Sequence, residues 1–259
     1  MEFRTIGPRA VAVAAIGALC LAAVAQAQVR PRGPLPSQVQ PAKKPRPPAG
    51  GLLKEPSTPE ELAAARPDPQ APGFRVPLPP LEQMDAETRA DFEYNARRLK
   101  TPVPPTGPLM LTPGIKANVS RVLGPVGETP LPQDLYQLTI LMAARHWGAQ
   151  FPWWVHHAQT VAEGVPAEAV EALRTGRRPV FATPAQEATY RYFVELFRDH
   201  RISEATYQEL HRLIGTEQLV AITELGGYYS RLSMTLIAHN VPLRSDVTPP
   251  LPPLDRTFP

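Results

Sequence analysis

Cysteine is almost missing from this chain. Among its 259 residues there is one, Cys20, inside an N-terminal stretch that reads as a secretory signal. Removal of that stretch leaves no thiol, which excludes disulfides, thiolate metal sites and cysteine nucleophiles together. Long apolar runs are missing as well. The uncharged run Ala10–Ala25 covers only 16 residues, short of the ~20 that cross a bilayer. With Arg4 and Arg9 before it and Ala25-Gln26-Ala27 after it, residues 1–27 have the three regions of a cleavable signal peptide. An uncleaved N-terminal anchor is the alternative. Arg4 stands alone, so there is no twin-arginine signal, and "GALC" before Cys20 is a poor lipobox. The expected location is therefore outside the cytoplasm, periplasmic or extracellular.

A basic folded surface is also lacking. The net charge is +3, but residues 28–80 hold eight Lys/Arg against four Asp/Glu and residues 81–259 hold 17 against 19. The positive charge belongs to the arm, and the remainder offers no electrostatic case for nucleic acid. Strand patterning is scarce too: nothing alternates convincingly over more than four residues.

Proline, by contrast, is abundant, with 34 in all and fifteen between residues 28 and 80. That segment has no hydrophobic period and too little apolar surface to offset its ordering entropy, so a disordered or extended linker is expected over 28–80. Within it "STPEELAAAR" predicts a turn or two of helix, with Ser57 or Thr58 as cap and Pro59 at the start. From residue 81 the pattern becomes helical. Helices are expected over about 85–99, from Thr112-Pro113 to Leu123, over 132–147 with apolar residues at 135, 138, 141 and 142, and from Pro152 to Glu163. Others run from Pro166 to Gly176, after Thr183-Pro184, and after Ser203. The last, "TEQLVAITELGGYYSRLSMTLIAHN", is too apolar for a surface helix. The fold class expected is all-α, an antiparallel bundle of about six to eight helices over residues 81–245, followed by a proline-rich tail over 246–259.

One stretch asks for chemistry. "HWGAQFPWWVHH", residues 146–157, packs three histidines and a Trp-Trp pair into twelve positions. A zinc ion accepts three imidazoles, but the adjacent His156 and His157 point about 100° apart on a helix, so no metal site is expected. Trp153, His156 and His157 share one helix face and are equally what a packed core would contain. His146 ends a helix, where an imidazolium suits the dipole.

The run from Gln137 to His156, then Gly164, then "LVAITELGGYYSRLSMTLIAHNVPL" resembles the carboxymuconolactone decarboxylase family, within the alkyl-hydroperoxidase-D-like superfamily. The resemblance covers roughly residues 110–245, and "HNVPL" is its most specific part. The family's aromatic, histidine and, eight residues on, glycine are met by Trp153, His156 and Gly164. The resemblance implies an all-helical subunit assembled as a trimer or hexamer whose contacts help shape the pocket. In the peroxidase-like branch, a glutamate nineteen residues before the histidine relays protons to a Cys-x-x-Cys pair. Here the glutamate position is Gln137, the cysteine positions are Ala149 and Pro152, and the histidine between those cysteines is Phe151. Gln cannot carry a proton as a carboxylate does, so a thiol peroxidase is excluded.

The decarboxylase-like branch needs no thiol. It implies non-redox acid–base chemistry on a small organic acid or lactone, without a cofactor. His156 is the expected proton carrier, Gln137 a hydrogen-bonding partner, and Trp153, Trp154, His157 and Tyr228 substrate-facing walls. Tyr228 and Tyr229 follow Gly226-Gly227, and one hydroxyl is expected at the pocket. Glu224 is the acid that would replace Gln137. The alternative is a catalytically inert binding or structural module of the same fold.

Overall fold

A computed structural model describes residues 58–112, 131–254 and 258. Among the described residues there are seven α-helices, two short 3-10 helices and one π-helical turn, and no strand. The α-helices are α1 (Pro59–Ala64), α2 (Ala86–Leu99), α3 (Gln133–Trp147), α4 (Gln150–Ala162), α5 (Ala167–Arg174), α6 (Pro184–Val194) and α7 (Glu204–Ala238). The protein is all-α. The helix expected after Thr112 and the signal sequence lie outside the described residues.

The starts follow local chemistry. Thr58 caps α1 in a reciprocal pair with Glu61, and the Thr183 and Ser203 side chains cap α6 and α7. Each satisfies a backbone N–H that the first turn would leave unpaired. Helix α4 begins at Gln150, two residues ahead of the expected Pro152. Proline is tolerated there because first-turn N–H groups have no intrahelical acceptor.

Helix α3 forms the centre. Every residue from Leu135 to Arg145 is buried, and the helix packs against α4, α6 and α7. A helix apolar on all sides belongs inside. Gly148, with φ 66°, ends it, and α4 returns alongside. Helix α7 is interrupted at Gly215 (φ 78°, ψ 171°), so its two expected halves are separate helices that meet at a kink. Further along, Gly226 faces the Phe193 ring of α6. A methyl built on Gly226 would sit 2.5 Å from Phe193 Cε1, so the α6–α7 approach depends on the absence of a side chain.

Both proline-rich flanks pack against the bundle, and the described part of the N-terminal one departs from expectation. Residues 58–80 are not a free linker: Ala71, Val76 and Leu78 are buried with Phe92, Ala96 and Val103 in a second apolar cluster. Arg75 N donates to His239 O (3.0 Å) and Asn240 Nδ2 to Gly73 O (2.6 Å). The C-terminal tail behaves alike. Leu251 and Phe258 belong to the principal core. Arg145 Nη1 donates to Pro252 O (3.1 Å), Arg174 Nη1 to Pro250 O (2.9 Å), and Gln150 both gives and takes a hydrogen bond with the Leu251 backbone. Isolated apolar residues between prolines bury without any period, which is why composition alone suggests disorder.

Candidate functional site

Three helices meet at His156. It stands on α4, one turn before Thr160, whose hydroxyl donates to the His156 carbonyl (2.9 Å). Gln137 comes from the buried face of α3, with its Oε1 2.9 Å from His156 Nδ1. Tyr229 comes from α7, with its hydroxyl 3.2 Å from His156 Nε2 and its ring edge-on to the imidazole at 5.4 Å. The network assigns the tautomer. A carbonyl oxygen only accepts, so Nδ1 carries the hydrogen and Nε2 accepts the Tyr229 hydroxyl hydrogen.

Burial pushes the His156 pKa down to about 3, and no neighbouring charge contributes. The residue keeps part of its surface open although its ring sits deep in the helix layer. Depth decides here, because the ring is desolvated by what surrounds it. The imidazole is neutral at every pH near neutrality.

The other expected site residues spread out around this centre. Trp153 is 1% exposed and belongs to the principal core. Trp154, Tyr228 and Tyr229 flank a smaller cluster of Phe151, Val155, Leu232 and Leu236, joined by Val241 and Leu243 of the "HNVPL" segment. Trp154 meets Phe151 edge-on at 5.7 Å, with the Arg244 guanidinium 6.0 Å from its ring. His157 Nδ1 donates to the carbonyls of Trp153 (3.1 Å) and Trp154 (3.0 Å), which ties it to its own helix. His146 lies apart, stacked on Phe197 at 4.6 Å. Its pKa is lowered by burial and then by His200. Glu224 is exposed and does not take the place of an acid beside His156. Among the described residues no three His, Cys, Asp or Glu side chains gather as a metal site, and no helix is long and apolar enough to cross a membrane.

Two further residues matter here: Tyr229, one of the two tyrosines whose hydroxyls were candidates for the pocket, and Arg231, which was not expected. Tyr229 follows Tyr228 in sequence, and successive tyrosines on a helix differ by about 100°, so only the packing tells which hydroxyl meets the histidine. The Tyr228 ring stands edge-on to Tyr229 at 5.2 Å. Arg231 is the other, its guanidinium 4.9 Å from the Tyr228 ring centre. Burial raises the Tyr228 hydroxyl pKa and the Arg231 charge offsets part of that rise. The signal in sequence was a single cation within "LGGYYSRLSMTLIA".

Chemically, the arrangement is a hydrogen-bonded run, Tyr229 to His156 to Gln137, with one basic atom (Nε2) and no charge. Compared with protein-family models and with curated proteins, the chain matches none.

Proposed function

We propose that the protein is an exported, carboxymuconolactone-decarboxylase-like protein that performs non-redox acid–base chemistry on a small organic acid or lactone at His156, in a trimeric or hexameric assembly. The observation that supports it is the run of hydrogen bonds from Tyr229 through His156 to Gln137. Gln137 cannot accept a proton, so Nδ1–H stays fixed and all proton movement is confined to Nε2. A proton leaving a substrate carbon passes to the Tyr229 oxygen as the tyrosyl hydrogen moves onto Nε2. Protonation of an enolate left by loss of CO₂ runs the other way: a proton taken up from water at Nε2 returns to the Tyr229 oxygen as the tyrosyl hydrogen passes to carbon.

An imidazolium with a pKa of about 3 is an unstable carrier by itself. The enolate that forms as the substrate reacts corrects this with its own charge. At about 4 Å and an effective dielectric of about 20, an enolate oxygen attracts an imidazolium by about 4 kcal/mol, or about three pKa units. The reacting end of the substrate thus brings the counter-charge that Gln137 does not supply.

The second reading, an inert module of the same fold, draws on the same geometry: both ring nitrogens are already hydrogen-bonded, as in a packed structural histidine. Turnover separates the two. Wild type and His156→Ala, each shown folded by circular dichroism, are assayed on muconolactones, other lactones and aromatic acids. Turnover by wild type and a loss of about 10²-fold or more in the variant is expected. Equal rates, or none with any substrate, favour the inert module.

A further inference from the structure

We infer that Arg231 and Tyr228 form a carboxylate seat beside the His156 centre, suited to a planar monocarboxylate. This deepens the reading above and rests on it for the chemistry the seat would serve. The starting point is an arginine with one buried donor, Nη2, that lacks an acceptor. No ion pair to Arg231 occurs among the described residues. Its own helix offers the Tyr228 hydroxyl but no nearby carboxylate. The positions three and four residues away are Gly227, Tyr228, Met234 and Thr235, none of them acidic, and the nearest acid on α7, Glu224, points to solvent.

A guanidinium is permanently charged and presents a planar fork that matches a carboxylate. A buried donor left without an acceptor is costly, and more so when it is charged. The arginine as a whole keeps part of its surface open, so a ligand meets the fork from that side, and a small turn of the side chain gives Nη2 its acceptor. The surroundings define the rest of the ligand. One cation with no second basic group fits one negative charge. The Tyr228 ring lies under the guanidinium and edge-on to Tyr229, which donates to His156. A flat apolar body whose acid group is held at Arg231 therefore has aromatic walls and reaches toward the histidine.

The test is binding of benzoate to the full-length protein, followed by calorimetry or by ligand-observed NMR. Benzamide serves as the neutral isostere. Benzoate is expected to bind wild type at least tenfold more tightly than benzamide. Arg231→Gln is expected to weaken benzoate by about 10- to 100-fold, and Arg231→Lys, which keeps the charge and loses the fork, by a smaller factor. Thermal melts establish that both variants fold, and the wild-type comparison of the two ligands stands even if one does not. His156→Ala is expected to keep benzoate affinity within about threefold, because the acid group is held elsewhere. That result, together with absent turnover by wild type, would sink the proton-relay reading and leave the seat standing. No benzoate binding by wild type, equal binding of benzamide, or full affinity in Arg231→Gln would overturn the seat.

Discussion

His146 and His156 are ten residues apart in one motif, both are drawn into the protein, and burial lowers the pKa of both. Their surroundings differ in kind. His146 stacks face to face on Phe197 at 4.6 Å and lies parallel to Phe258 at 6.3 Å, so flat aromatic rings line its surroundings. His156 has a hydrogen-bonding group on each ring nitrogen, from two other helices. The lesson is that desolvation alone does not make a site. At His156 each ring nitrogen meets a polar side chain from another helix, which gives its proton a defined route.

The largest expected effect tests the buried neutral ring itself. An unfolded histidine takes up a proton near pH 6.5, whereas folded His156 does so only near 3. Between those values the unfolded chain binds more protons, so stability falls as pH falls, by up to about 1.4 kcal/mol per pH unit for one such group. Urea unfolding of wild type from pH 7 to 4 should show this slope. It should flatten strongly in His156→Gln and less in His146→Gln, whose ring is less deeply set. Identical slopes in wild type and His156→Gln would mean that another group titrates.

A second change sharpens the contrast through charge. Gln137→Glu places a carboxylate against Nδ1 and should raise the His156 pKa by about three units, while His146 keeps its own value. Proton NMR titration of the ring signals reads both histidines in one experiment. A His156 value still near 3 would refute the assigned contact. The smallest effect is Tyr229→Phe, which removes the hydroxyl on Nε2 and should cost about 1 kcal/mol in stability. Its clearer readout is the ¹⁵N shift of Nε2, which should move at His156 and stay fixed at His146. Movement at neither ring would place the hydroxyl elsewhere.

Much of the bundle was legible because helix ends are set by local chemistry. Thr58, Thr183 and Ser203 cap where hydroxyl–proline or hydroxyl–acid patterns suggested, and the apolar spacing of α3 announced a helix. The flanks were not legible. Val76, Leu78, Leu251 and Phe258 bury singly between prolines, and no period betrays a residue that packs alone. Pairing of Gln137 with His156 was reached only through the nineteen-residue spacing of the family resemblance. The choice between Tyr228 and Tyr229 depended on how α7 is rotated about its axis, which its near-uniform apolar character leaves open. Arg231 went unmarked because an arginine in a helix is ordinarily a solvated one.

The two flanks also decide how the protein can be dissected. Residues 73 and 75 are held by the end of α7, and Gln150 and Arg145 hold the backbone of residues 251 and 252. A fragment trimmed to the obviously helical sequence would bare the apolar surfaces of Phe92 and Ala96 at one place and of Tyr190 and Phe197 at another. The smallest piece that keeps its interior covered begins ahead of Ala71 and carries the chain through Phe258. Its ends are set by what the prolines bury and not by where they become frequent.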